Sequence, residues 1–243
     1  MNSWQGFSGT YVTTGTVTKI RVYMMVRDYE GLLGGEECGM AFDAFKIQFS
    51  RAGEFKTATL NPIEDAAVSQ LNPSSNYGSD SKLRIETYDW LLTRSDWRSY
   101  LKFSLSSLPS DAIITKAELK LYTYKADGGA ISGEVTVVCH YTNDSWSEGG
   151  ITWNNQPMGT GANPNTGIMD VKKIGGGSEE HSTNFWVAWN VLGAAIDAFK
   201  NDKTVSFMLR EGDEAQWAYG IWAEFYSRQG TYKPQLYLEY FDP

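Results

Sequence analysis

Residues 115–124 read TKAELKLYTY. On an extended chain Ala117, Leu119 and Leu121 fall on one side, and Lys116, Glu118, Lys120 and Tyr122 on the other. A period of two, rather than 3.6, is the signature of a strand with one face buried and one facing water. The pattern recurs in SYLKFSL (99–105), where Leu101, Phe103 and Leu105 alternate with Tyr100, Lys102 and Ser104. It recurs again over 134–141 (Val135, Val137 and Cys139 inward, His140 outward), 205–210 and 235–240. Glycine-rich breakers at 127–129, 147–150 and 175–177 separate these runs. Many short alternating strands between turns predict an all-β protein, an antiparallel, jelly-roll-like β-sandwich. One short helix is expected, with Asn190 as cap and Val191, Leu192, Ala195, Ile196 and Phe199 as its apolar stripe.

The first 55 residues are set apart. Two strands are expected at 16–26 and 40–49, joined by a loop rich in Gly and Glu. A hairpin is marginal alone in water, so these are extra strands of the sandwich or the remnant of a preceding domain. A new alternation at Thr57–Leu60 puts the boundary near Gly53, dividing the chain into 1–55 and 56–243.

Composition narrows the function. The net charge is −8 with 21 basic residues, the wrong balance for wrapping nucleic acid. No apolar run is long enough to span a bilayer, and the first fifteen residues have neither the basic nor the apolar part of a signal peptide. The two cysteines, Cys38 and Cys139, are either a long-range bridge or two buried thiols. Aromatics make up 14% of the chain, with nine Trp and fourteen Tyr. They suit a strand-rich core, and equally a stacking surface for flat ligands such as sugar rings.

Four landmarks in order resemble a known family. They are ATLNPIEDAAVSQLNPSSNYGSDSKLRIE (58–86), RSYLKFSLSSLPSDAIITKAELKLY (98–122), DSWSEGGITWNNQP (144–157) and FYSRQGTYKPQLYLEY (225–240). Together they resemble the disaggregatase-related, or DNRLRE, repeat, a carbohydrate-binding family of archaeal and bacterial surface and secreted proteins. The resemblance covers about three quarters of the chain. It implies a β-sandwich that binds a polysaccharide, uronate-containing and so anionic, within a larger multi-domain protein that is secreted or on the cell surface. It also implies a structural Ca²⁺. Gln229 stands where the family has Glu, and the 87–97 stretch is long and apolar. Residues 1–55 are not covered.

The candidate sites follow from the alternation. Outward positions gather Lys82, Arg84, Glu86, Arg98, Tyr100, Lys102, Arg210, Glu224, Tyr226 and Arg228. If these strands share a sheet, Arg84, Arg98, Tyr100, Lys102, Arg210, Tyr226 and Arg228 form a basic, aromatic face that suits an anionic glycan. The same residues also suit solvated strand faces with cross-strand ion pairs. Trp90, Trp97 and Trp217 lie in loops, where large apolar groups either pack inward or present a sticky site. Glu64, Asp65 and Asp242 are the candidate calcium ligands, with Asn72 and Asn76 nearby.

Catalysis lacks the usual motifs for acyl transfer, zinc hydrolysis or phosphate binding. His140 and His181 are the only histidines. A glycosidase would draw on Asp144, Glu148, Asp213, Glu214 or Glu224, and a uronate lyase on Tyr226 beside Arg228. The leading reading is a non-catalytic carbohydrate-binding module. A polysaccharide-depolymerising enzyme and a structural, adhesive surface repeat are the alternatives. In 144–157, Trp153 is expected to be an inward strand residue, Trp146 a lid on the sandwich end, and Glu148 a fastener of turn N–H groups.

Overall fold

The computed structural model describes residues 53–243, apart from 91–92, 129–132, 176–183 and 215–219. The elements in chain order are β1 (Glu54–Leu60), β2 (Glu64–Ser69), β3 (Lys82–Thr87), β4 (Asp89–Trp90), β5 (Thr93–Arg94), β6 (Trp97–Ser104) and β7 (Ile113–Asp127). They continue with β8 (Glu134–Thr142), β9 (Ile168–Gly175), β10 (Trp186–Asn190), a helix α1 (Leu192–Lys200), β11 (Thr204–Glu211), β12 (Ile221–Tyr226) and β13 (Gln235–Asp242). Every pairing is antiparallel. The all-β sandwich with one short helix is therefore the observed fold. The strands expected at 16–26 and 40–49 lie outside the described residues, as does Cys38.

A single path, β1-β13-β7-β12-β3-β6-β11-β8-β9, curls back on itself, with β10 beside β7 and β2 beside β6. The 15-residue β7 serves both layers: residues 113–120 pair with β13 and 118–122 with β10, whereas 123–127 pair with β12. Between the layers lies the main core. Leu101, Phe103, Leu119, Leu121, Val137, Cys139, Trp189, Phe207 and Phe225 are all fully buried there. The inward half of each expected alternation is thus the inward half observed. Ala194, Ala195 and Ala198 of α1 seal the same core; the cap position is Val191 rather than the expected Asn190, which stands one residue earlier and accepts from the Leu192 N–H at 3.1 Å.

The outward half departs from expectation. Across β2, β6, β11 and β8 the second face is not open, because residues 144–163 fold over it. Trp146, Ile151 and Trp153 from this segment close on Ala66, Val68, Tyr100 and Met208 as a second apolar core. Trp153 points inward as expected, but it opens a 3₁₀ turn (Trp153–Asn155) instead of sitting in a strand. Trp146 covers a sheet face rather than the sandwich end. Its indole N–H reaches Ser206 Oγ at 3.2 Å.

The two cores separate the tryptophans by role. Trp153 is 4% exposed and Trp186 is 41% exposed. Trp153→Ala is expected to cost about 3–5 kcal/mol in denaturant unfolding, and Trp186→Ala to stay within about 0.5 kcal/mol.

Candidate functional site

The covered half of the sheet is built around ionic groups that the folded segment must satisfy. Arg98 and Glu214 are both fully buried and meet as a fork, Nε to Oε1 at 2.7 Å and Nη2 to Oε2 at 2.8 Å. The remaining Arg98 donors go to Gln156 Oε1 (3.1 Å), Gly159 O (2.7 Å) and Gly161 O (2.6 Å). The Tyr100 hydroxyl donates to Gln156 Oε1 at 2.9 Å. Lys102 donates to Glu64 and to the Trp146 carbonyl. Arg210 donates to His140 Nε2 (3.1 Å) and to the carbonyls of Glu211 (2.7 Å), Gly212 (2.8 Å) and Pro164 (3.2 Å).

Arg98, Tyr100, Lys102 and Arg210 therefore do not lie on an open face, contrary to expectation. The physical reason is the 144–163 segment, whose carbonyls and apolar side chains use the outward positions of β6 and β11. His140 is corrected likewise. It is buried rather than at the surface, with Nδ1 2.7 Å from Thr166 O and Nε2 accepting from Arg210. Burial holds its pKa below the usual imidazole value.

A second set of polar contacts ties down the start of the segment. Arg228 donates through its backbone N–H to Asp65 Oδ2 (2.6 Å), through Nε to Glu148 Oε1 (2.7 Å) and through Nη1 to Ile63 O (2.8 Å). Glu148 Oε1 also accepts from the Asp65 N–H and from the Gln229 amide. It is a fastener, but not of its own turn's N–H groups as expected: it holds the Asp65 N–H of β2 and the Arg228 and Gln229 side chains of the β12–β13 turn. The Gln229 amide donates to both Gly78 O and Glu148 Oε1, each at 2.9 Å, which a carboxylate at that position could not do. Gly78 must be glycine, since a Cβ there would stand 2.2 Å from Glu148 O.

The carboxylates proposed for calcium do not converge. Glu64 is taken by Lys102, Asp65 by the Arg228 N–H, and Asp242 by Lys56 at 2.7 Å. No group of three or more His, Cys, Asp or Glu able to hold a metal occurs among the described residues. Glu64 and Asp242 are thus each met by a lysine and Asp65 by a backbone N–H, so the three do not form a shared Ca²⁺ site.

The open half lies on β7, β12 and β3. Here the outward positions carry rings. Tyr122 stacks on Tyr232 (centroids 4.1 Å apart, planes 22° apart) and meets Trp186 edge-on at 5.3 Å. Tyr226 lies 5.4 Å from Tyr232 and 5.5 Å from Tyr124. A register shift between Glu224 and Phe225 leaves Tyr124 as an extra residue opposite β12. Such a bulge re-aims a side chain, and here it sets the Tyr124 ring beside Tyr226. Lys82 sits between them, its Nζ 3.3 Å from each ring centroid. One rung further along the strands, Arg84 pairs with Glu86 at 3.0 Å and lies 5.4 Å from the Trp97 ring and 5.7 Å from that of Trp222.

Of the expected ligand-binding residues, the structure brings Arg84, Tyr226 and Trp97 together here. Arg228 is half-exposed but committed to Glu148. Trp90 is on β4, in register with Thr93; Trp217 lies outside the described residues, as does His181. Tyr124, Trp186 and Tyr232 were not among the sequence candidates. The alternation of FWVAWN (185–190) was the available signal for Trp186.

Residues 56–240 match carbohydrate-binding module family 96, and the chain belongs to that family. Comparison with curated proteins gives no match. The protein is a carbohydrate-binding module, and no helix among the described residues is long and apolar enough to cross a membrane.

Burial beneath the 144–163 segment and beside β6 has a pH consequence. Asp65 and Asp96 are almost wholly buried, and desolvation raises their carboxyls to about 7 and about 6. The folded state therefore holds protons that the unfolded chain releases near pH 4. Stability from these groups is fully present below pH 4 and is lost as pH rises through about 6 to 7. The thermal midpoint is expected to fall between pH 5 and pH 8, and Asp65→Asn to flatten that slope in a pH series of thermal melts.

Proposed function

We propose that this module is non-catalytic and binds an acidic, uronate-containing polysaccharide of a cell wall or surface matrix. The proposed site is the open face formed by Trp186, Tyr122, Tyr232, Tyr226, Tyr124 and Lys82. One observation carries the reading: the Lys82 ammonium is held between two rings and joins no ion pair among the described residues. Loss of hydration lowers its pKa, and the field of Glu224 offsets this only in part. A ligand carboxylate supplies the missing counter-charge, while sugar C–H faces pack on the surrounding rings.

The order of the four sequence landmarks supports the same reading, through their resemblance to the disaggregatase-related repeat. It also supports a secreted or cell-surface setting within a larger protein. The acid–base pairs considered for catalysis lend no comparable support, since Glu214, Glu148 and Glu224 are each engaged by an arginine.

Calorimetric titration against alginate, a chondroitin-like glycan and a neutral glucan tests the proposal. Both acidic glycans are expected to bind, and to weaken as salt rises. Lys82→Ala and Tyr226→Ala should each weaken binding about tenfold, equivalent to ~1.4 kcal/mol, with Tyr100→Phe leaving it unchanged. Because the protonated lysine is the binding form, affinity should decline as pH rises toward the lowered Lys82 pKa. Equal affinity for the neutral glucan, or binding untouched by Lys82→Ala and Tyr226→Ala, would overturn it.

A further inference from the structure

Four neighbouring strands each give one outward residue to a single row on the open face. Lys82 of β3 stands opposite Tyr226 of β12, and Trp186 of β10 stands opposite Tyr122 of β7. Tyr226 and Tyr122 join the two pairs, with ring centroids 6.1 Å apart. The end steps are shorter: 3.3 Å from the Lys82 ammonium to the Tyr226 ring, and 5.3 Å from Tyr122 to Trp186. Tyr232 is stacked on Tyr122 within the row, and both it and Trp186 are exposed. The row is not repeated along the strands. Next to Trp186 on β10 comes the outward Ala188, and next to Tyr122 on β7 comes Lys120, held by Glu118 at 3.3 Å. On β3 and β12 the next rung is Arg84 and Glu224, and only beyond that charged rung lie Trp222 and Trp97.

We infer that the glycan lies across the strands rather than along them, with one carboxylate at Lys82 and the following sugars over Tyr226, Tyr122 and Trp186. This rests on the glycan-binding reading of the same face. Neighbouring strands are about 4.8 Å apart, which is also about the length of one sugar in an extended chain, so a row four strands wide takes about four sugars. Each ring offers an apolar surface to one sugar. The rings also pack on one another, so they are held in place before a ligand arrives and lose little freedom on binding. The two ends of the row then act differently. Lys82 acts on any ligand with a carboxylate, whereas Trp186 acts only on ligands long enough to reach it.

Calorimetric titration of the full chain with mannuronate oligosaccharides of two, four and six sugars tests this. The tetrasaccharide is expected to bind about tenfold more tightly than the disaccharide, and the hexasaccharide to gain no more than about threefold beyond that, from its extra registers on the row. Trp186→Ala, a change at an exposed residue, should remove the advantage of the tetrasaccharide and leave the disaccharide unchanged. Lys82→Ala should weaken all three by a similar factor, and Trp222→Ala should leave the tetrasaccharide-to-disaccharide ratio as it is. A disaccharide that binds as tightly as the tetrasaccharide would overturn the inference, as would a length dependence untouched by Trp186→Ala. Loss of the length dependence in Trp222→Ala instead would lay the chain along β3 and β12 and overturn it too. All three outcomes leave the acidic-glycan reading standing, whereas failure of every oligosaccharide to bind would overturn that reading itself.

Discussion

The fork between Arg98 and Glu214 is the constraint around which this surface is organised. Both groups are fully buried on a sheet face that strand alternation would leave in water. A buried pair of this kind contributes little net stability, but losing one partner leaves an uncompensated charge at a cost of about 3–5 kcal/mol. That is a large share of the ~5–15 kcal/mol that holds a typical domain together. The guanidinium also needs acceptors for its other donors, and Gln156, Gly159 and Gly161 supply them. Burying the pair and folding 144–163 over the sheet are therefore one event. The tryptophans of that segment then gain a dry cavity to fill.

Covering one half of the outer face leaves the other half open. The rings on β7, β10, β12 and the turn before β13 face outward because their strand neighbours, Leu121, Thr123, Val187 and Phe225, face the main core. Tyr124 takes the same outward side as Tyr122, two residues earlier, and the register shift beside it brings its ring against Tyr226. It encloses the Lys82 ammonium in aromatic surface without giving it a carboxylate. Architecture and recognition thus use the same residue types in different settings: Trp153 lies over a buried guanidinium, 4.7 Å from it, and Tyr226 lies against an available ammonium.

The fold was legible because burial in the main core follows period two through most of β6, β7 and β8, with Ile114 alone out of phase in β7, beside a register shift against β13. Leu101 and Phe103, Leu119 and Leu121, and Val135 and Val137 could be assigned from spacing alone. The site was legible only in part. Arg84 and Tyr226 were found by the same alternation that wrongly opened Arg98, Tyr100, Lys102, Arg210 and His140 to solvent, whereas Trp97 was assigned to a loop and lies at the start of β6. Alternation says which side of a strand a residue is on, but not whether a distant segment covers that side. The information lay in Gln156, Asn163 and Glu214, polar residues that meet Arg98, Arg210 and one another across 47 or more positions, beyond any local pattern. Tyr124 was missed for another reason. Alternation places it outward with Tyr122, but the contacts that mark it come from Tyr226 and Lys82 on β12 and β3, which its own strand's pattern does not name.

The central claim is that ligand contacts the β7–β12–β3 face and not the face beneath 144–163. The indole N–H signals of a ¹⁵N-labelled sample read this directly, because the tryptophans fall on both sides of the division. On titration with an acidic oligosaccharide, the signal of Trp186 should shift, followed by those of Trp222 and Trp97, while those of Trp146, Trp153 and Trp189 hold still. Shifts at Trp146 and Trp153, with Trp186 unmoved, would place the ligand under the covering segment and contradict the account.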